Sequence, residues 1–109
     1  MKRIISITIV ALTLSGTAAF AEDAKAIYER DCAKCHGVDG KGDTKMGHRT
    51  GARDYTDPKV QDSVTDEAAF KAIKDGLKDK NEKTLMGPTD GVSDDDIKRL
   101  VAYMRTFKK

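Results

Sequence analysis

Apolar side chains recur at helical spacing near both ends of the chain. One apolar face predicts a helix from about Asp23, its cap, to Lys34. It is formed by Ala24, Ile27 and Tyr28. The last stretch gives the clearest signal, because Ser93 can cap it and three aspartates follow in its first turn, where they favour the positive end of the helix dipole. Its apolar stripe comprises Ile97, Leu100, Val101 and Met104.

Two further helices are predicted between these ends. Asp57 followed by Pro58 gives a cap and a proline at the first helical position, which indicates a short helix. Thr65 can cap a longer helix, which is predicted from Asp66 to about Lys78. Its apolar face comprises Ala69, Phe70, Ile73 and Leu77.

Two glycine-containing segments separate these helices. The stretch from Gly37 to Gly51 holds five glycines, which argue against regular structure there. A second loop runs from Asn81 to Gly91 and contains Met86 just before a Gly-Pro pair. No segment shows sustained alternation of apolar and polar residues, so no sheet is expected. The pattern predicts a single all-α domain.

The first 21 residues have the composition of an export signal. Lys2 and Arg3 precede a short apolar run from Ile4 to Leu14, and the Ala-Phe-Ala sequence ending at Ala21 is typical of a cleavage site. The run could also be a retained membrane anchor or a buried helix, although it is short for a membrane span. Residues 1–21 are therefore expected to be a cleaved secretory signal peptide, and residues 22–109 the folded domain.

Cleavage changes the charge of the protein. The 20 basic residues fall to 18 with the loss of Lys2 and Arg3, which equals the 18 acidic residues. The basic isoelectric point of the full chain therefore gives no argument for nucleic-acid binding, which would need a clustered basic face. The remaining domain is too small to bury a large core by itself. A large planar cofactor bonded to the chain would supply apolar contacts.

The two cysteines lie in the pattern Cys-x-x-Cys-His, formed by Cys32, Cys35 and His36. This is the attachment signature of c-type haem, in which two thiols form thioethers to the porphyrin and the histidine binds the iron. A thioredoxin-like dithiol would need a strand before the motif. The cysteines could also form a disulfide or bind zinc, and the motif could occur by chance. Zinc needs about four ligands, and His48 is the only other histidine.

These residues resemble those of the small bacterial class I c-type cytochromes, over nearly all of residues 24–107. In that family three to four short helices wrap around one covalent haem, and the N- and C-terminal helices cross. Tyr28, Leu100 and Tyr103 match the residues at that crossing, and Ala24 lies where the family often has glycine. The resemblance implies a cytochrome c-like fold, one haem c and its iron.

The resemblance also implies Met86 as the sixth iron ligand, beside His36. The other internal methionines are Met46, in the glycine-rich stretch, and Met104, whose helical spacing favours the core. His48 is the main rival ligand. The family's proline near this loop, whose carbonyl steadies the proximal histidine, is missing here, and any carbonyl of residues 47–53 could replace it. Haem propionate partners implied by the resemblance are Arg49, Arg53 and Tyr55.

A six-coordinate iron has no open site for a substrate, so the expected function is a periplasmic single-electron carrier and not an enzyme. Its expected partners are a membrane oxidoreductase, a terminal oxidase or a periplasmic dehydrogenase, with no nucleic acid and no stable membrane insertion after processing. The protein is expected to be a monomer. A lysine run before Met86 could steer an acidic partner, or it could be one solvated helix face. It comprises Lys71, Lys74, Lys78, Lys80 and Lys83.

A labile sixth ligand would indicate a different function, namely a gas sensor or a weak peroxidase. Peroxide chemistry needs acid–base groups beside the iron, and only His48 is a candidate. A third possibility is an interaction domain that binds no haem.

Overall fold

The computed structural model describes residues 23–109, so the predicted signal peptide lies outside the described residues. Six short helices and one two-stranded antiparallel sheet follow one another along this part of the chain. They are α1 (Ala24–Asp31), α2 (Ala33–His36), α3 (Lys45–Thr50), α4 (Pro58–Ser63), α5 (Asp66–Asp75), β1 (Leu77–Lys78), β2 (Thr84–Met86) and α6 (Asp94–Arg105). The fold is therefore all-α apart from one short ladder. Across residues 23–109, no helix is both long and apolar enough to cross a membrane.

The four predicted helix caps are confirmed. In each case a side-chain oxygen accepts a hydrogen bond from a backbone N–H two or three residues further on, which satisfies one of the free donors of the first turn. The capping residues are Asp23, Asp57, Thr65 and Ser93. These caps fix the starts of α1, α4, α5 and α6.

The first predicted helix is interrupted at Cys32. This residue departs from helical geometry with φ −116° and ψ −35°, although its own N–H still bonds the carbonyl oxygen of Tyr28 at 2.8 Å. The N–H of His36 bonds the carbonyl of Cys32 at 3.0 Å, so a new turn begins there. The helical path therefore bends at the first cysteine and continues two residues beyond the predicted end at Lys34.

The prediction that residues 37–51 lack regular structure is wrong. The hydroxyl of Thr44 accepts a hydrogen bond from the N–H of Gly47, which starts α3, and Gly51 ends it in the left-handed conformation with φ 74°. Glycine is the usual residue at such a helix end. The cap at Thr44 and the terminating Gly51 therefore offset the low helix propensity of Gly47 inside α3. This helix adds to the four that the sequence predicts.

The absence of any sheet is also a wrong prediction. The third predicted helix ends at Asp75 and not at Lys78, because Gly76 has φ 81° and leaves the helical path. The chain then forms β1, turns, and returns as β2. Leu77 pairs with Met86 and Lys78 pairs with Thr84. Leu85 is thus an extra residue in β2, and the ladder contains a bulge.

The core lies where α6 crosses α1. Ile27 and Leu100 are almost wholly buried, and Tyr28 packs with them. Ala24 lies against the same cluster, so alanine fits at the crossing as expected. A second cluster joins α5 to α6 through Ala69, Val101 and Met104. The two clusters lie on neighbouring faces of α6, which therefore holds the N-terminal and central helices together.

Three aromatic rings close the crossing. Tyr28, Tyr103 and Phe107 lie with each pair of ring centroids 5.2 Å apart. The hydroxyl of Tyr28 donates a hydrogen bond of 2.6 Å to the carbonyl of Gly37, the residue after His36. A Cβ atom at Gly40 would lie 2.6 Å from the ring of Phe107, so the chain after the motif fits under that ring only as glycine. The crossing thus holds both ends of the Cys-x-x-Cys-His segment.

A buried amide joins α4 to the end of α6. Gln61 is only 3% exposed, and its Nε2 donates to the carbonyls of Tyr55 at 2.7 Å and Met104 at 3.0 Å. The guanidinium of Arg105 donates to both the backbone and side-chain oxygens of Gln61 and to Asp66. Both polar atoms of the buried amide are therefore hydrogen-bonded, and its bonds to Met104 and Arg105 attach α4 to α6.

We predict that Tyr28→Phe lowers the free energy of unfolding by about 1 kcal/mol, since it removes one buried hydrogen bond while the ring packing stays. Denaturant unfolding of the haem-loaded protein measures this. Tyr103→Phe is the matched control, because the Tyr103 hydroxyl donates no hydrogen bond within the described part of the chain, and its cost should stay below about 0.5 kcal/mol. Equal losses in the two variants would contradict a role for the bond to Gly37.

Candidate functional site

The Cys-x-x-Cys-His motif occupies the bend between α1 and α2. Cys32 forms the bend, and Cys35 and His36 complete the following turn. Both cysteines are half-buried free thiols. Burial is the main cause that raises the pKa of Cys32 to about 11, with the neighbouring Asp31 adding to it. Both sulfurs thus lie on one helical turn beside the histidine, in the order that haem attachment requires.

His36 has the form that binds a metal. Burial lowers its pKa, so the imidazole is neutral at neutral pH. Its Nδ1 is enclosed by protein and finds no hydrogen-bond partner among residues 23–109. Nε2 is therefore the ring nitrogen available to an iron. The ring stacks on Tyr55 with centroids 5.1 Å apart and planes 28° from parallel, which restricts its orientation.

The expected acceptor for His36 is not found. A carbonyl of residues 47–53 could take the place of the family's proline carbonyl, but Nδ1 has no partner among the described residues. The carbonyl of Gly47 already accepts the N–H groups of Gly51 and Ala52. The formation of α3 therefore occupies the carbonyl oxygen of Gly47, which an irregular loop would have left available to a donor such as Nδ1.

The segment after the motif caps the end of α2. The hydroxyl of Thr44 lies 2.9 Å from the carbonyl oxygen of Lys34 and 2.8 Å from that of Cys35, and the N–H of Gly42 bonds the carbonyl of His36. A Cβ atom at Gly47 would collide with the carbonyl of Cys35. Sequence reasoning missed Thr44 and Gly47. The cap pattern of Thr44, three residues before Gly47, was the available signal.

Met86 lies on a separate element, in β2. It is half-buried, as is its neighbour Leu85, whereas regular alternation would turn one of two consecutive strand residues to solvent. The bulge at Leu85 accounts for this, because an extra residue re-aims the side chains around it. The carbonyl of Met86 lies against Gly76, where a Cβ atom would be only 2.5 Å from that oxygen. The absence of a side chain at Gly76 thus allows the backbone of Met86 to lie close to the end of α5.

The remaining candidates differ in their exposure and in their contacts. His48 is 70% exposed, and its Nε2 lies 2.7 Å from the carboxylate of Asp43. Met46 is half-buried on α3, and Met104 is in the core as expected. Of the predicted propionate partners, Arg49 is exposed, Arg53 donates to the hydroxyl of Ser63 at 3.0 Å, and Tyr55 stacks on His36.

The competing explanations of the motif gain no support from the geometry. A helix and not a strand precedes Cys32, unlike a thioredoxin-like dithiol. Within residues 23–109, no group of three or more His, Cys, Asp or Glu side chains is arranged to hold a metal ion. The free thiols and the neutral, enclosed imidazole do fit a c-type haem, for which Cys32 and Cys35 would supply the thioethers and His36 one iron ligand.

A cytochrome c family model matches residues 21–108. Among solved structures, a c-type cytochrome named KustC0563 is 33% identical and superposes with a TM-score of 0.68, covering 80% of this chain and 99% of its own. A mutant of KustC0563, with tyrosine replaced by phenylalanine, is 31% identical with a TM-score of 0.66, covering 79% and 99%. The comparison with curated proteins gave no match.

A small helical fold whose first helix leads into a Cys-x-x-Cys-His turn is typical of proteins that carry covalent haem. The chain belongs to the cytochrome c family. Membership implies haem c with its iron, and a role as a haem-based electron carrier. The all-α, cytochrome c-like fold predicted from the sequence is confirmed.

We predict that Gly76→Ala lowers the free energy of unfolding by about 3 kcal/mol, because it adds backbone strain at φ 81° to a collision with the Met86 carbonyl. Chemical denaturation of the haem-loaded protein provides the measurement. Gly91→Ala is the control, since Gly91 has φ 72° but no atom within 4 Å of its added Cβ. It should cost about 1 kcal/mol. Similar losses of unfolding free energy at both positions would show that the close approach of Met86 to Gly76 does not contribute to the cost of the substitution.

Proposed function

We propose that this protein is a periplasmic single-electron carrier with one haem c, attached through Cys32 and Cys35 and ligated by His36 and Met86. The observation that carries the proposal is the placement of two free thiols and a neutral imidazole on one helical turn. Family membership supports the same chemistry. The export signal predicted at residues 1–21 supports the compartment, because c-type haem is attached after export in bacteria.

The bound haem supplies the one-electron chemistry, and the residues of the chain adjust its potential and exposure. A thioether is a soft ligand that raises the iron potential relative to a second imidazole. His36 and Tyr55 are half-buried and stacked on each other, which would limit the access of water to a haem held by His36. If His36 and Met86 both bound the iron, no site would remain open for a substrate, and the haem would supply one-electron transfer alone.

Met86 is the best-supported sixth ligand among the candidates. It lies on a half-buried segment that is held close to the end of α5, and its neighbour Leu85 is half-buried beside it. His48 is exposed and engaged by Asp43. Met104 is packed in the core between α5 and α6. Met46 remains the only other half-buried methionine in the described chain.

Replacing Met86 by alanine tests the ligand set. In the oxidised wild-type protein we expect the weak sulfur-to-iron charge-transfer band, and in Met86→Ala we expect its loss together with a fall in reduction potential. Met46→Ala is the matched control and should keep both. The proposal for Met86 fails if its variant retains the band, and Met46 becomes the ligand if the control loses it.

Carbon monoxide distinguishes the carrier from a gas- or peroxide-reactive haem protein. A firmly held sixth ligand keeps carbon monoxide from the reduced iron, whereas a labile one admits it. Peroxide chemistry needs an acid–base group beside the iron, and its one predicted candidate, His48, is 70% exposed on α3 and lies 2.7 Å from Asp43. We therefore expect slow and weak binding in the wild type and ready binding in Met86→Ala. Ready binding in the wild type would favour the sensor or peroxidase.

The proposed partners are redox proteins: a membrane oxidoreductase, a terminal oxidase or a periplasmic dehydrogenase. The lysine run around the hairpin supports an acidic docking partner, although two of its five members are already paired. Lys74 lies 3.1 Å from Asp94, and Lys78 lies 3.9 Å from Glu82. The remaining positive charge comes from Lys71, Lys80 and Lys83, which are exposed.

Salt dependence tests the role of these lysines in steering. Electron transfer to an anionic oxidant such as ferricyanide should slow as ionic strength rises, with an effect of up to about ten-fold, whereas a cationic complex should show the opposite trend. A Lys80→Gln, Lys83→Gln double variant should flatten the dependence. Lys59→Gln, on α4, is the control and should leave it unchanged. A flat dependence in the wild type would contradict steering.

A further inference from the structure

The hairpin formed by β1 and β2 is small, and the position of the Met86 side chain depends on it. Its ladder has only two residue pairs, and a short isolated hairpin is marginally stable in water. Glu82 in its turn has φ 63°, which is unfavourable for a residue other than glycine. Other interactions must therefore hold the turn in place.

The carboxylate of Asp79 provides these interactions. One oxygen, Oδ1, accepts hydrogen bonds from the N–H groups of Asn81 at 2.8 Å and Lys83 at 3.0 Å. The backbone of Asp79 closes the same turn, since its N–H bonds the carbonyl of Lys83 at 2.9 Å and its carbonyl accepts from Glu82 at 3.0 Å. Four hydrogen bonds thus converge on one residue at the tip of the hairpin.

The geometry of this turn determines the register of β2. A shift by one residue would move every side chain of a strand to the opposite face. Lys83, which bonds Asp79 through both its N–H and its carbonyl, lies three residues before Met86. Fixing Lys83 therefore fixes the neighbouring Lys78–Thr84 pair, from which β2 runs through the bulge at Leu85 to Met86.

We propose that Asp79 is a positioning residue for Met86. Its carboxylate holds the turn and thereby keeps the methionine sulfur at the iron, without contacting the haem itself. The proposal rests on the proposed function, because it assumes that Met86 is the sixth ligand. It concerns the acceptor oxygen of Asp79 and not its charge.

The two explanations, an acceptor and a charge, are separable by substitution. Asparagine keeps an Oδ1 that can accept both N–H groups but removes the charge. Serine accepts more weakly in the same kind of turn, and alanine does not accept at all. Asp75→Ala is the matched control: it removes a nearby carboxylate that makes no side-chain hydrogen bond among residues 23–109.

The experiment measures the rate at which excess imidazole binds to the oxidised, haem-loaded protein. Imidazole reaches the sixth position only when Met86 leaves, so the rate reports how firmly the methionine is held. We expect Asp79→Ala to bind imidazole about ten-fold faster than the wild type, with Asp79→Ser between them. Asp79→Asn and Asp75→Ala should stay within about two-fold of the wild type. The sulfur-to-iron band should weaken in the same order.

Each outcome bears on the proposal. Equal rates for wild type and Asp79→Ala would overturn it, and so would an asparagine variant as fast as alanine, which would assign the effect to charge. If the alanine variant does not fold, the serine and asparagine variants still give the order of rates. If Met86→Ala keeps the sulfur-to-iron band, Met86 is not the ligand and the proposed function is wrong on that point. If Met86→Ala removes the band but Asp79→Ala changes neither the band nor the rate, only the role of Asp79 is wrong.

Discussion

Ile27 and Tyr28 of α1 pack against Leu100 of α6, and the position of the haem-attachment turn depends on this contact. Tyr28 lies four residues before Cys32, so the crossing sets where the turn begins. The Tyr28 hydroxyl also reaches the carbonyl of Gly37, just after the turn. Tyr28 therefore holds both ends of the Cys-x-x-Cys-His turn, one by packing and the other by a hydrogen bond. A domain of this size buries few residues. Here a cluster of them lies at the crossing of α1 and α6, next to the Cys-x-x-Cys-His turn, and a functional site is held more precisely on rigid elements.

Backbone groups around the motif are satisfied by the segment that follows it. The end of α2 would leave carbonyls free, and Thr44 and Gly42 bond three of them. Gly47 allows α3 to approach the carbonyl of Cys35 without a clash. The exception is Nδ1 of His36, which has no partner in the described chain. His36, the proposed iron ligand, is therefore oriented by ring stacking on Tyr55 and by burial, without the carbonyl acceptor that ligating histidines usually have.

The two proposed iron ligands lie on elements of very different strength. His36 ends a helix that is joined to the main core, whereas Met86 is on a two-pair hairpin at the surface. Segments with few buried contacts open at low free-energy cost. The methionine side is thus the place where ligand exchange would begin. The close approach of Gly76 and the turn at Asp79 are the contacts that oppose such opening.

The sequence by itself determined what depends on residues a few positions apart. The motif of Cys32, Cys35 and His36 and the four helix caps are local patterns, because each involves atoms within about one helical turn. The apolar stripes of α1 and α6 likewise predicted which faces are buried. The helix among the glycines also has a local cap at Thr44, but the tertiary structure alone decided the bend at Cys32, the bulged hairpin at Met86 and the stacking of Tyr55. These features depend on contacts between distant segments, such as Thr44 with Cys35 and Gly76 with Met86, which no local periodicity encodes.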